Sequence, residues 1–325
     1  MYEKYTNLYL IEHTLTFCLS SIVSCAPLKN VTSIEKGYWA LAAISFFWGT
    51  TWFVSKLTIQ YIPPLLMTGL RQSIAGVAMI LFFVAKGSFK LPHKRLFLFH
   101  TLNGFLLFTC SNGLTTWAIE YIPSFLGALI SCLTPFVMVL VGAILFHEKI
   151  KPKVLVGMLI GFVGIAILLS SYRSDIAAGE GFLFGVLLTL IAVLTWTSGT
   201  FLATRNRINT DPFQGVAWQM LIGGLLLLLS AFITKQEVPL ASISWQGWGL
   251  LLYLIAVGSI FCFICYIIAL RTLPISLVTI YVYINPMVAL LLGVLLLNEH
   301  ISITIILGAA ITLGGIYLVK RYSRP

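Results

Sequence analysis

Charge is scarce in this chain: 9% of its 325 residues are Asp, Glu, Lys or Arg, where a soluble domain carries about a quarter. With 59% of the residues hydrophobic and the few charges gathered between apolar runs, water is excluded as the solvent for most of the surface. Acidic residues are rarer still, ten against twenty basic ones. None lies securely at mid-membrane depth, so no proton relay through carboxylates is expected. Long polar stretches are missing too, which leaves no room for a separate soluble domain. No Gly-rich phosphate loop occurs, so ATP is not the direct energy source. The five histidines, His13, His93, His100, His147 and His300, are scattered without ligand spacing, which argues against a membrane-embedded enzyme. Of the six cysteines, Cys18, Cys25, Cys110, Cys132, Cys262 and Cys265, the last pair makes a CxxC spacing inside an apolar run. With no histidine or second pair nearby they read as small buried hydrophobes, and no disulfide, metal or cofactor is assigned.

What the chain does have is length in apolar runs. At about 20 residues per membrane crossing, ten spans are predicted: 37–57, 64–85, 96–118, 122–146, 154–170, 182–204, 212–234, 246–270, 274–297 and 303–319. The fold class is all-α integral membrane. The net charge of +10 is a matter of topology: with the amino terminus inside, sixteen Lys and Arg fall in cytoplasmic segments and two, Arg173 and Lys235, in outer loops. That bias places both termini in the cytoplasm and leaves a nucleic-acid partner without support. Residues 1–36 form a leader of uncertain structure: the apolar stretch 8–26 is interrupted by Glu12 and His13, unlike a clean signal sequence. A surface helix or an eleventh span are the other readings of it.

The chain is duplicated. Pro123, Pro135, Gly142, Glu148, Gly157 and Gly164 recur 151 positions later as Pro274, Pro286, Gly293, Glu299, Gly308 and Gly315. Trp48, Phe53, Pro64 and Gly76 recur 148 positions later as Trp196, Phe201, Pro212 and Gly224. The domains are then 37–172 and 182–320, each a repeat of five helices. Five is odd, so the second copy enters the membrane from the opposite side, giving two inverted repeats around a central cavity. Two such halves exchange conformations at similar energy, as alternating access requires.

These residues resemble the drug/metabolite transporter superfamily, in particular the ten-helix EamA-type carriers. The resemblance is carried by Trp48-Gly49-Thr50-Thr51-Trp52-Phe53 with Lys56, by Arg71, by Ala118 to Pro123, and by the series Pro135, Glu148, Gly157, Gly164 and Pro286, Glu299, Gly308, Gly315. It implies a pseudo-twofold bundle with a central cavity that passes small metabolites such as amino acids and their derivatives, often outward.

The candidate substrate-binding residues are Arg71, Gln72, Trp48, Asn112, Trp117, Gln219, Tyr281 and Tyr283. Arg71 lies two turns into the second span, where an ionisable group is costly enough to need a reason; it pairs with a substrate carboxylate, or else makes a structural ion pair or bonds backbone carbonyls. The amides and hydroxyls of the others need partners away from lipid. Trp52, Trp196 and Trp218 join Trp48 and Trp117 as cavity candidates, with plain packing as the alternative. Pro135 and Pro286 are the hinge candidates, since each removes a backbone donor at mid-span. Lys56 and Glu120 read as an outer gate or as two solvated interface residues, and Glu148 and Glu299 as partners of the following helix's positive end. The expected function is a secondary transporter moving a small organic metabolite, an amino acid or related amphipathic solute, across the cell membrane by alternating access, in the direction of export. An uptake permease of the same class is the alternative; a channel or an enzyme follows behind.

Overall fold

The computed structural model describes residues 33–146, 150–172, 181–205, 211–278, 280–297 and 302–322. Glu148, Glu299 and the leader up to residue 32 lie outside them. Ten helical segments follow one another: α1 (Ser33–Thr58), α2 (Pro64–Ala85), α3 (Lys94–Gly104, a π-helical Phe105–Asn112, then Gly113–Ala118), α4 (Ser124–Ser131 and Thr134–Phe146), α5 (Pro152–Ser170), α6 (Phe182–Arg205), α7 (Pro212–Ile233), α8 (Trp245–Tyr253, a π-helical Leu254–Phe261, then Cys262–Thr272), α9 (Ile275–Val278 and Tyr281–Leu297) and α10 (Ile303–Tyr322). Seven helices among the described residues are long and apolar enough to cross a bilayer on those grounds alone. Proline sets several starts: α2, α5 and α7 each carry one in the first turn, where its missing N–H has no intrahelical partner to lose. Asp211 caps α7 by accepting from Phe213 N at 2.8 Å, and Ser244 caps α8.

The surface is apolar and the interior partly polar. Leu81, Leu98, Ile144, Leu159, Leu187, Leu229, Leu252, Leu291 and Leu295 point outward, while Thr58, Thr68, Gln72, Asn103, Thr189, Thr197 and Thr312 are buried. Most of the buried threonine hydroxyls are paired locally, as in Thr189 to Gly185 O at 2.9 Å and Thr312 to Gly308 O at 2.7 Å, whereas Ser73 Oγ and the Asn103 amide are buried without a hydrogen-bond partner. Polar groups turned inward and apolar ones turned outward suit a lipid solvent, which offers polar groups no partners.

Two pairs of equivalent helices, α2 with α7 and α5 with α10, pack against each other and run antiparallel. On α5 and α10, a Cβ at Gly157 would meet Gly315 O at 3.0 Å and one at Gly164 would meet Gly308 O at 2.8 Å. On α2 and α7, a Cβ at Gly76 would meet Leu221 N at 2.5 Å and one at Gly224 would meet Ser73 N at 2.4 Å. Each contact is the repeat image of its partner, because Gly157 matches Gly308 and Ser73 matches Leu221. Such reciprocal contacts require a twofold axis across the helices. Backbones this close leave no space for side chains, the usual basis of helix association in lipid. The copies also interlock: α1 packs on α8 and α9, and its image α6 packs on α3 and α4. The central space is therefore walled by both halves.

Candidate functional site

Between the halves lies a cavity of about 190 Å³, walled by α1, α2, α3, α4, α6, α8 and α9. Arg71 on α2 is its charged group and is 6% exposed. Its Nε donates to Ser259 Oγ at 2.9 Å, and Ser259 Oγ in turn donates to Gln72 Oε1 at 3.4 Å. Room for the guanidinium comes from Gly258, where a Cβ would stand 2.9 Å from Arg71 Nη2 and 2.8 Å from Thr51 Cγ2. Among the described residues, no buried side chain is an Asp or Glu. The guanidinium is thus oriented by neutral groups alone.

Aromatic rings make up much of the remaining wall. Trp48 donates from Nε1 to Gly258 O at 3.2 Å, which ties α1 to the π-helical stretch of α8. Its ring is packed by Phe263, Tyr266 and Tyr281 with centroids 5.4, 5.3 and 5.1 Å away. Trp52, Trp196, Phe263 and Tyr281 border the same space, as do the hydroxyls of Thr51, Ser55, Ser111, Thr115 and Thr116. Asn112 lines it too, its amide held on Leu107 O at 2.9 Å. That side-chain bond reaches back five residues within the π-helical stretch. The two π-helical stretches, Phe105–Asn112 and Leu254–Phe261, fall 149 positions apart and so occupy equivalent places in the two copies. π-turns gather at functional sites. Here they carry Ser111 and Asn112 on one side and Gly258 and Ser259 on the other.

The α4 wall is broken. A turn at Cys132 and Leu133 separates its two pieces, and Pro135 is the second residue of the second piece. Thr134 Oγ1 donates to Ser131 O at 2.8 Å, the carbonyl that Pro135 leaves without its helical donor. In α9, Pro286 lies well inside the helix Tyr281–Leu297. The carbonyl it orphans, Val282 O, accepts from Cys132 Sγ at 2.8 Å.

Of the sequence-derived site residues, Arg71, Trp48, Asn112 and Tyr281 line the cavity, and Gln72 supports it from behind through Ser259. Gln219, Trp117 and Tyr283 are placed elsewhere. Gln219 Nε2 meets His100 Nδ1 at 3.2 Å between α3 and α7. Trp117 packs edge-on to Phe184 at 5.5 Å, and Lys320 lies 5.3 Å over the Tyr283 ring. Trp218 packs on Phe89 and Phe97. Lys56 bonds the carbonyls of Ile119 and Ile122 at the α3–α4 turn, while Glu120 is exposed. Ser259, Thr51, Ser131, Thr134 and Cys132 were not singled out from sequence as site residues. Ser259 had a signal, the lone hydroxyl in the apolar run Leu254-Ile255-Ala256-Val257-Gly258-Ser259-Ile260-Phe261.

An all-α membrane bundle built from two copies of one unit, with a polar and aromatic space between them, defines a membrane transporter by its architecture. The comparisons with known proteins make the class definite. The model of the EamA-like transporter family matches residues 35–170 and again 183–321, and the chain belongs to that family. It is 33% identical over 264 residues to the uncharacterized inner membrane transporter YedA of Escherichia coli (strain K12), covering 81% of this chain and 83% of that protein. It is 28% identical over 283 residues to the uncharacterized transporter YoaV of Bacillus subtilis (strain 168), covering 86% and 94%. A solved crystal structure shares the fold at a TM-score of 0.59 and 19% identity, over 88% of this chain and 95% of that one.

Proposed function

We propose that the protein is a secondary carrier that moves a small amphipathic organic solute bearing a carboxylate, of amino-acid size, through this cavity by alternating access. The observation that carries the reading is Arg71: a buried guanidinium whose Nε is fixed by Ser259 and which has no buried acidic partner among the described residues. A carboxylate pairs with such a fork bidentately. Supporting the alternating step is the reciprocal packing of α2 on α7 and α5 on α10, which leaves two related halves, 37–172 and 182–320, able to trade conformations about the shared cavity. The sixteen-to-two division of Lys and Arg supports cytoplasmic placement of both termini. Export is the direction we favour, uptake of the same solutes the second reading. The test is purified protein in liposomes, loaded with labelled amino acids, carboxylates and amines, with and without a pH gradient. Saturable counterflow of a carboxylate-bearing compound is expected. Movement of permanently cationic, carboxylate-free compounds alone would remove Arg71 from the site, and flux without counterflow would make the protein a channel.

A further inference from the structure

The charge balance of the cavity narrows the solute class. Arg71 is the one charged side chain in the wall among the described residues. Its hydrogen-bond partner, Ser259, is neutral, and Ser259 rests on the neutral Gln72. Several other polar groups of the wall already have their protons engaged: Thr51 donates to Trp48 O at 2.7 Å, Ser131 to Gly127 O at 2.9 Å and Thr134 to Ser131 O at 2.8 Å. None of them carries charge to offset the guanidinium. The cavity walls therefore hold one positive charge when empty. A carboxylate brings the total to zero, an amino-acid zwitterion leaves it at plus one, and an amine raises it to plus two. Removing uncompensated charge from water is strongly unfavourable at low dielectric. An ammonium would also sit in the same small space as the guanidinium, where like charges repel more strongly than in water. Attraction to an aromatic face offers little relief at Trp48, whose ring is already packed by Phe263, Tyr266 and Tyr281.

We propose that the cavity is selective for organic anions, carboxylates on an aromatic or other apolar body without a free ammonium group, over the corresponding zwitterions and amines. This rests on taking the cavity as the transport site, but its test is one of binding. Trp48, Trp52 and Trp196 line the cavity, so the intrinsic fluorescence of the purified full-length protein reports occupancy. Three compounds share one body and differ in charge: 3-phenylpropanoate, phenylalanine and phenethylamine. The expected result is an apparent Kd for 3-phenylpropanoate at least tenfold below that for phenylalanine, with no saturable change from phenethylamine. Arg71→Gln is expected to abolish the anion's advantage, and Arg71→Lys, which keeps the charge but not the fork, to retain part of it. Equal binding of phenylalanine and 3-phenylpropanoate overturns the proposal. So does an anion preference that survives in Arg71→Gln with an unchanged melting temperature, or the absence of saturable binding by all three. Counterflow in liposomes reads the transport assignment separately. Anion-selective binding without counterflow upholds the charge argument and removes the carrier reading. Counterflow of phenylalanine with no anion preference in binding does the reverse.

Discussion

Pro135 and Pro286 hold the same place in the two copies, 151 positions apart, yet the chain treats them differently. Pro135 stands at the start of a helical piece after a turn, and its orphaned carbonyl, Ser131 O, is served by the neighbouring Thr134 hydroxyl. Pro286 stays inside a continuous helix, and its orphaned carbonyl, Val282 O, is served from the opposite copy by Cys132 Sγ. One copy resolves its proline within itself; the other depends on its partner. The same inequality appears in the second helices. Arg71 lies in the cavity wall, while the residue matching it 148 positions later, Gln219, is engaged with His100 between α3 and α7. On the alternating-access reading proposed above, the two copies hold unlike conformations in any one state and trade them during transport. On that reading the differences at Pro135 and Pro286 are of that kind. Those at Arg71 and Gln219 are written in the sequence.

The largest expected effect separates the two second helices. Arg71→Gln should lower carboxylate counterflow by about 10- to 100-fold, the range for losing hydrogen bonds to a charged group, with normal protein levels in the membrane. Gln219→Leu should leave the cavity wall untouched and change counterflow by less than about twofold, with a stability loss of about 1–3 kcal/mol because buried His100 Nδ1 is left without its partner. Equal losses in both variants would mean that the polar pair between α3 and α7 takes part in substrate passage as directly as Arg71 does.

Where the copies are alike, mutations should be alike. Gly164→Ala and Gly315→Ala place a Cβ 2.4 Å from Thr312 N and from Gly161 N respectively, and a backbone atom cannot swing aside as a side-chain end does. Each should destabilise the bundle by about 1–3 kcal/mol, as overpacking does, and by similar amounts, read as thermal unfolding in detergent. A large effect at one glycine and none at the other would break the twofold relation of α5 and α10.

The contact that crosses between copies gives a smaller effect. Cys132→Ala removes the donor to Val282 O and should cost about 1 kcal/mol, whereas Cys132→Ser keeps a donor at that place and should recover most of the loss. If serine fares no better than alanine, the thiol acts by packing alone.

Much of this arrangement is legible in the sequence, for identifiable reasons. The apolar runs are legible because lipid demands apolar length, and seven of the helices among the described residues are long and apolar enough to cross; an odd number of helices per repeat fixes the opposed direction of equivalent helices, while the pairing of α2 with α7 and α5 with α10 is seen only in the structure. Arg71, Trp48, Asn112 and Tyr281 could be picked out because a charged group, an amide, a hydroxyl or an indole N–H in an apolar helix needs a partner that lipid does not supply. The same rule cannot tell a cavity from a neighbouring helix, so it chose Gln219, Trp117 and Tyr283 on equal grounds, although their contacts are with His100, Phe184 and Lys320. Phe105–Asn112 and Leu254–Phe261 carry no composition that marks π-helical winding. Cys132 looked like a small hydrophobe because its partner, the carbonyl freed by Pro286, lies 150 residues away.

The smallest effect belongs to Pro135, one of the two hinge candidates of the sequence. At the second position of a helical piece, residue 135 is in the first turn, where proline loses little. Pro135→Ala would add an N–H directed toward Ser131 O, but that carbonyl already accepts from Thr134 Oγ1. The new donor therefore answers no unmet need, and a stability change within about 0.5 kcal/mol is expected, the range of substitutions that break no special feature. Counterflow should stay close to that of the unaltered protein. Pro286→Ala differs in kind: its new N–H competes with the Cys132 thiol for Val282 O, so the link between copies weakens even as the helix gains a bond. The reading is a paired one, melting temperature and counterflow for each variant. Should Pro135→Ala slow counterflow as much as Pro286→Ala does, the two prolines act as equivalent hinges, and the contrast between a self-contained and a partner-dependent break fails.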